Sequence, residues 1–204
     1  MRTEQSVPIR LEDYRPPDWL VETVDLDVSL AATATLVRAA LRLKPNPKAA
    51  APAPLHLDGD GLKLVSLKLD GEALAGDRFV AAPDGLTIAQ PPQRPFTLEI
   101  ETVVDPSANT QLMGLYRSGS TYCTQCEAEG FRRITYYPDR PDVMAVFTTR
   151  VEADRAECPV LLANGNLVSS GDVPGGTRHF TVWHDPFPKP SSTHARSPPT
   201  SANR

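Results

Sequence analysis

The chain has 204 residues, enough for one full core or one domain with a tail, and 21 basic against 25 acidic residues leave a net charge of −4. That balance offers no basic field for a phosphate backbone and argues against nucleic acid as a partner. Three cysteines are too few for a disulfide scaffold, and the chain has neither an apolar signal core nor an apolar run of ~20 residues, so the expectation is a soluble cytoplasmic protein with no membrane partner.

From the N-terminus, residues 1–13 read as an extension. In VDLDVSL, Val24, Leu26, Val28 and Leu30 alternate with Asp25, Asp27 and Ser29, the period of a half-buried strand. The alanine-rich SLAATATLVRAALRLK carries Thr33, Thr35 and Val37 in an alternation that suits a strand at least as well as a helix. KPNPKAAAPAP (44–54) reads as a flexible connection between strands. LKLVSLKLDG alternates too, but its phase slips at Val65-Ser66, which predicts a bulge or bend. FTLEIETVV (96–104), VFTTRVEA (146–153), PVLLA (159–163), NLVSSG (166–171) and RHFTVWH (178–184) are further strand candidates. Asp-Gly at 58–59, 70–71 and 84–85 and Asn-Gly at 164–165 mark tight turns. No segment makes a convincing helix, and the 21 prolines fit edges and loops. The expectation is therefore an all-β, mostly antiparallel saddle or sandwich. After Trp183 apolar residues become scarce, as in a tail that cannot order itself.

The stretch that carries chemistry is TYCTQCEAEGFRRITYYPDRPD (121–142). Cys123 and Cys126 form one C-x-x-C, whereas a tetrahedral zinc site wants four ligands; Cys158 and the four histidines stand at no ligand spacing from the pair. A redox pair would open a helix in a βαβ unit, which nothing here forms. Two half-buried cysteines in a tight loop is the plainer reading. Gln125 and Glu127 are different. On an extended segment alternate residues project to one side, and an amide oxygen with a carboxylate makes an acceptor-rich site for an ammonium group. The competing reading is two solvated loop side chains.

NTQLMGLYRSGSTYCTQCEAEGFRRITYYPDRPDVMAVFTTRVEAD, then LLANGN and HFTVWHDPFPKP, preceded by DYRPPDWLVETVDLDVSL, closely resembles the bacterial aminopeptidase N family of zinc metallopeptidases. The resemblance runs from about Tyr14 to Pro190 and covers that family's N-terminal β-saddle domain, giving a domain at 14–190 and an unrelated, unstructured tail at 191–204. It implies that Gln125 and Glu127 bind the free α-amino group and first residue of a peptide, with the cysteines incidental. It also implies zinc in full-length relatives, held in a catalytic domain of the same chain.

This sequence lacks the chemistry of that second domain: no histidine is followed by glutamate, so there is no H-E-x-x-H, and G-x-M-E-N is missing. The expectations are accordingly no catalytic residue, no metal ligand and no cofactor in this chain, weak binding of peptide N-termini by it alone, and a frameshift or stop after Pro190. The alternative is a stand-alone β-domain acting as a binding module or interaction partner without activity of its own.

Overall fold

A computed structural model describes residues 10–49 and 53–193. Strands β1 (Trp19–Ser29), β2 (Thr35–Pro45), β3 (Leu55–Asp58), β4 (Lys63–Leu69), β5 (Glu72–Ala73), β6 (Phe79–Ala82) and β7 (Gly85–Ile88) make up the first half. Strands β8 (Phe96–Val104), β9 (Gly114–Ser118), β10 (Thr121–Gln125), β11 (Met144–Asp154), β12 (Asn166–Asp172) and β13 (Arg178–Pro190) follow. The fold is all-β, as the period-two patterns require. Helical structure among the described residues is limited to 3-10 turns at Leu11–Asp13, Phe131–Arg133 and Ser191–Thr193. None is long and apolar enough to cross a membrane.

Eight strands form one sheet in the order β12-β13-β11-β1-β2-β8-β4-β5, with β1 and β11 parallel and the other pairs antiparallel. Its inner face is built row by row: Val24 lies beside Leu41 and Leu41 beside Leu98, and in the next row Leu26 lies beside Ala39 and Ala39 beside Ile100, all buried. Each large side chain so placed contributes about 1.5–3 kcal/mol from area removed from water. The opposite face carries Asp25, Asp27, Arg38, Glu99 and Glu101, whose alternation with the apolar set keeps the charges in water. A three-stranded sheet, β3-β7-β6, adds Leu55, Leu57, Leu86 and Ile88 to the same core.

The alanine-rich segment is β2, clamped between β1 and β8; pairing on both edges overrides its helix propensity. The phase slip is real, because the β4–β8 register shifts between Leu64 and Ser66 and leaves Val65 exposed. Of the tight turns, Asp70-Gly71 joins β4 to β5 with both residues at positive φ (51° and 85°), and Asp84 sits in the β6–β7 turn.

PVLLA is a correction, since residues 159–163 form no strand. The segment crosses as a loop held by side chains of β13 in place of a strand partner: His179 Nε2 lies 2.6 Å from the carbonyl of Cys158 just before it, and Thr181 Oγ1 donates to Leu161 O at 3.3 Å. The proline-rich connection joins β2 to β3. Its described ends are held, by Asn46 Nδ2 donating to Pro17 O at 2.6 Å and by Trp19 Nε1 donating to Pro54 O at 3.2 Å, while residues 50–52 lie outside the described part. Residues 1–9 of the extension and 194–204 of the tail also lie outside it.

Candidate functional site

The loop that carries Gln125 and Glu127 begins where a hairpin ends. β10 pairs with β9 as far as Gln125 opposite Gly114, and the chain then turns through Cys126–Gly130 into the Phe131–Arg133 turn. Extended geometry therefore stops at Gln125. The two candidates are linked across a turn, by the Gln125 side-chain amide and the Glu127 main-chain carbonyl, and not by strand alternation. Cys126 between them is buried at 2 % exposure, which leaves both flanking side chains exposed. Gln125 Nε2 donates to the Glu127 carbonyl at 3.2 Å, so its Oε1 is the acceptor left for a ligand. Among the described residues Glu127 makes no ion pair, whereas its neighbour Glu129 faces Arg132 at 3.5 Å. The Glu127–Ala128 peptide is cis.

Gly130 closes the turn. Its N–H donates to Cys126 O at 2.9 Å, and a Cβ there would lie 2.2 Å from Gln125 O, so only glycine lets the two arms of this turn approach. Phe131 is fully buried and packs edge-on against Tyr137 and Phe147. The cysteines are free thiols. Burial pushes the Cys126 thiol up to about 12, the reverse of what a nucleophile or metal ligand needs, and burial likewise raises Cys158.

A charged network that sequence reasoning missed lies beneath the loop. Arg132 reaches Asp139 through Nε at 3.1 Å and faces Asp58 at 3.9 Å. Burial opposes the Arg132 charge, but the hydrogen bond to Asp139 and the charges of Asp58, Glu129 and Asp139 outweigh it and raise its pKa. Arg133 pairs with Asp60. A cleft of about 380 Å³ opens here, lined by Trp19, His56, Asp58, Glu129, Arg132 and Arg140 among others. A larger cleft of about 450 Å³ lies on the polar face of the main sheet, with none of the loop residues in its walls. Its charges are largely spent on one another, in Arg38–Glu101 at 2.9 Å and Arg150–Asp27 at 3.1 Å, which is the ordinary state of a solvated face.

No group of three or more His, Cys, Asp or Glu among the described residues is arranged to hold a metal ion.

Residues 22–193 match the family described as Peptidase M1 N-terminal domain. The chain is 49% identical to aminopeptidase N of Caulobacter vibrioides over 191 residues, covering 94% of this chain and 22% of that protein. It is 46% identical to aminopeptidase N of Escherichia coli over 188 residues, covering 92% and 21%. Among solved structures it is similar to Legionella pneumophila aminopeptidase A in complex with aspartic acid, with a TM-score of 0.87, 35% identity, and 92% of this chain and 22% of that one covered. An M1 zinc metallopeptidase of Deinococcus radiodurans shares the fold at a TM-score of 0.73 and 16% identity, over 88% of this chain and 42% of that one. The chain thus spans about a fifth of the length of the curated relatives it matches.

Proposed function

This chain belongs to the peptidase M1 family, matching its N-terminal domain, and from that premise we propose that it supplies the part of an aminopeptidase that receives the free N-terminus of a peptide. The observation that carries the reading is the buried Cys126 flanked by exposed Gln125 and Glu127, linked by the Gln125 amide. An α-ammonium group has three N–H donors. The Glu127 carboxylate and Gln125 Oε1 are acceptors for them, and a hydrogen bond to a charged partner is worth about twice a neutral one. Anchoring the terminus sets which peptide bond is presented for cleavage, a gain of position.

The partner implied is a catalytic domain, carried in the same chain in the relatives, and the zinc chemistry resides there. Zinc supplies a water acidic enough to attack at neutral pH. We place this role in the cytoplasm, supported by three unpaired thiols, the state that a reducing compartment favours.

The test is a complete aminopeptidase carrying this domain at its N-terminus. Glu127→Ala and Gln125→Ala each remove one acceptor, and the expected result is a raised KM with kcat/KM lowered by about ten- to a hundredfold for the carboxylate, at unchanged zinc content. A KM that stays at the parent value for Glu127→Ala rejects the assignment.

A further inference from the structure

We infer that Asp139 is a positioning residue for the loop carrying Gln125 and Glu127, and that Ser191, directly after β13, holds Asp139 in that role; the functional meaning of the inference rests on the proposed reading of the loop. The Asp139 side chain is 1% exposed, and a buried carboxyl group is costly unless donors fill its oxygens. Its donors come from two distant parts of the chain, Arg132 and Ser191. Oδ2 accepts from Arg132 N and Arg132 Nε, both at 3.1 Å, and Oδ1 accepts from Ser191 Oγ at 2.5 Å, although 52 residues separate the two. The backbone of Asp139 is held as well: its N–H donates to Asp58 Oδ2 at 2.9 Å, and its carbonyl accepts from Arg132 Nη2 at 3.1 Å.

Arg132 carries this constraint into the loop. Its carbonyl accepts from Asp60 N at 3.0 Å, its guanidinium faces Glu129 at 3.5 Å, and the next residue, Arg133, donates its N–H to Gly130 O at 3.1 Å. Gly130 in turn holds the Cys126 carbonyl between Gln125 and Glu127. Ser191 is itself 1% exposed, so its hydroxyl has no solvent to turn to. The loop geometry therefore depends on where the chain leaves β13, and a displacement of that exit is transmitted to the pair of acceptors.

The experiment is amide hydrogen exchange on the full 204-residue chain. Ser191→Ala is expected to speed exchange at Gly130 and Arg132 by about tenfold while amides of β1 and β2 keep their rates, because one hydrogen bond to a carboxylate is removed locally. Ser191→Thr, which restores the hydroxyl, is expected to return the loop to parent rates. Asp139→Asn, which keeps shape but weakens the grip on Arg132, is expected to reproduce the loop acceleration. Parent rates at Gly130 in both Ser191→Ala and Asp139→Asn, or an equal acceleration in every strand, overturn the inference. Glu127→Ala in a complete aminopeptidase carrying this domain separates it from the proposed function: a KM at the parent value counts against the peptide-terminus reading and leaves the exchange result standing.

Discussion

At Gly130 the whole loop turns on one missing carbon. A Cβ added there would meet the Gln125 carbonyl carbon at 3.1 Å and Cys126 Cα at 2.8 Å, and these are backbone atoms that no rotamer change can move aside. Gly130→Ala is therefore expected to destabilise the domain by about 1–3 kcal/mol, the usual cost of forcing atoms into a filled site, and to displace Gln125. Urea unfolding with an unchanged midpoint would contradict this. The residue types at 125 and 127 were legible as acceptors, and the resemblance added a ligand for them. The C-x-x-C reads as two half-buried cysteines in a tight loop, and the structure has Cys123 partly and Cys126 fully buried, with burial pushing the Cys126 thiol up. Asp139 and Ser191 could not be paired by eye, because their contact is long-range and composition assigns Ser191 to a tail.

Strand β11 is the element that makes the sheet continuous, running parallel to β1 and antiparallel to β13. Glu152 on β11 stitches this junction. It accepts from Arg178 Nε at 2.6 Å and from Arg150 Nη2 at 2.7 Å, and Arg150 also reaches Asp27 of β1. Burial on its own would raise the Glu152 pKa, but the hydrogen bonds and charges of Arg178 and Arg150 outweigh it and hold the carboxyl below the usual range. A depressed folded pKa contributes stability that is present above the unfolded value of about 4.3 and is lost as pH falls through the folded one. Glu152→Gln should thus lower the melting temperature near neutrality and flatten the loss of stability below about pH 4.3. An acid limb as steep as that of the parent would show that the stitch contributes nothing. Strand existence was legible from period two, including the β4 slip. PVLLA failed because no local pattern shows that Leu161 O is met by a side chain of β13, Thr181, in place of a strand partner.

At the scale of the molecule, a sheet, a hairpin and an anchored loop expose Gln125 and Glu127, which on the proposed reading accept an ammonium group and leave the nucleophile to a partner domain. No histidine of the chain is followed by glutamate, and the described residues contain no donor set for a metal. Positioning lowers a barrier only when there is something to position against. Neutral water, with a pKa near ~15.7, is a far weaker attacker than a zinc-bound water near ~7. An exposed charge pair is typically worth only about 0–1 kcal/mol, so an exposed Glu127 also holds a peptide terminus weakly without walls that exclude water. The purified 204-residue chain supplied with zinc is therefore expected to release no chromophore from an aminoacyl p-nitroanilide above the zinc-only background and to retain no stoichiometric zinc after dialysis. Turnover that rises with protein concentration and is abolished by a chelator would mean that residues of this chain assemble a metal centre after all, and that the division of labour between loop and partner domain is wrong.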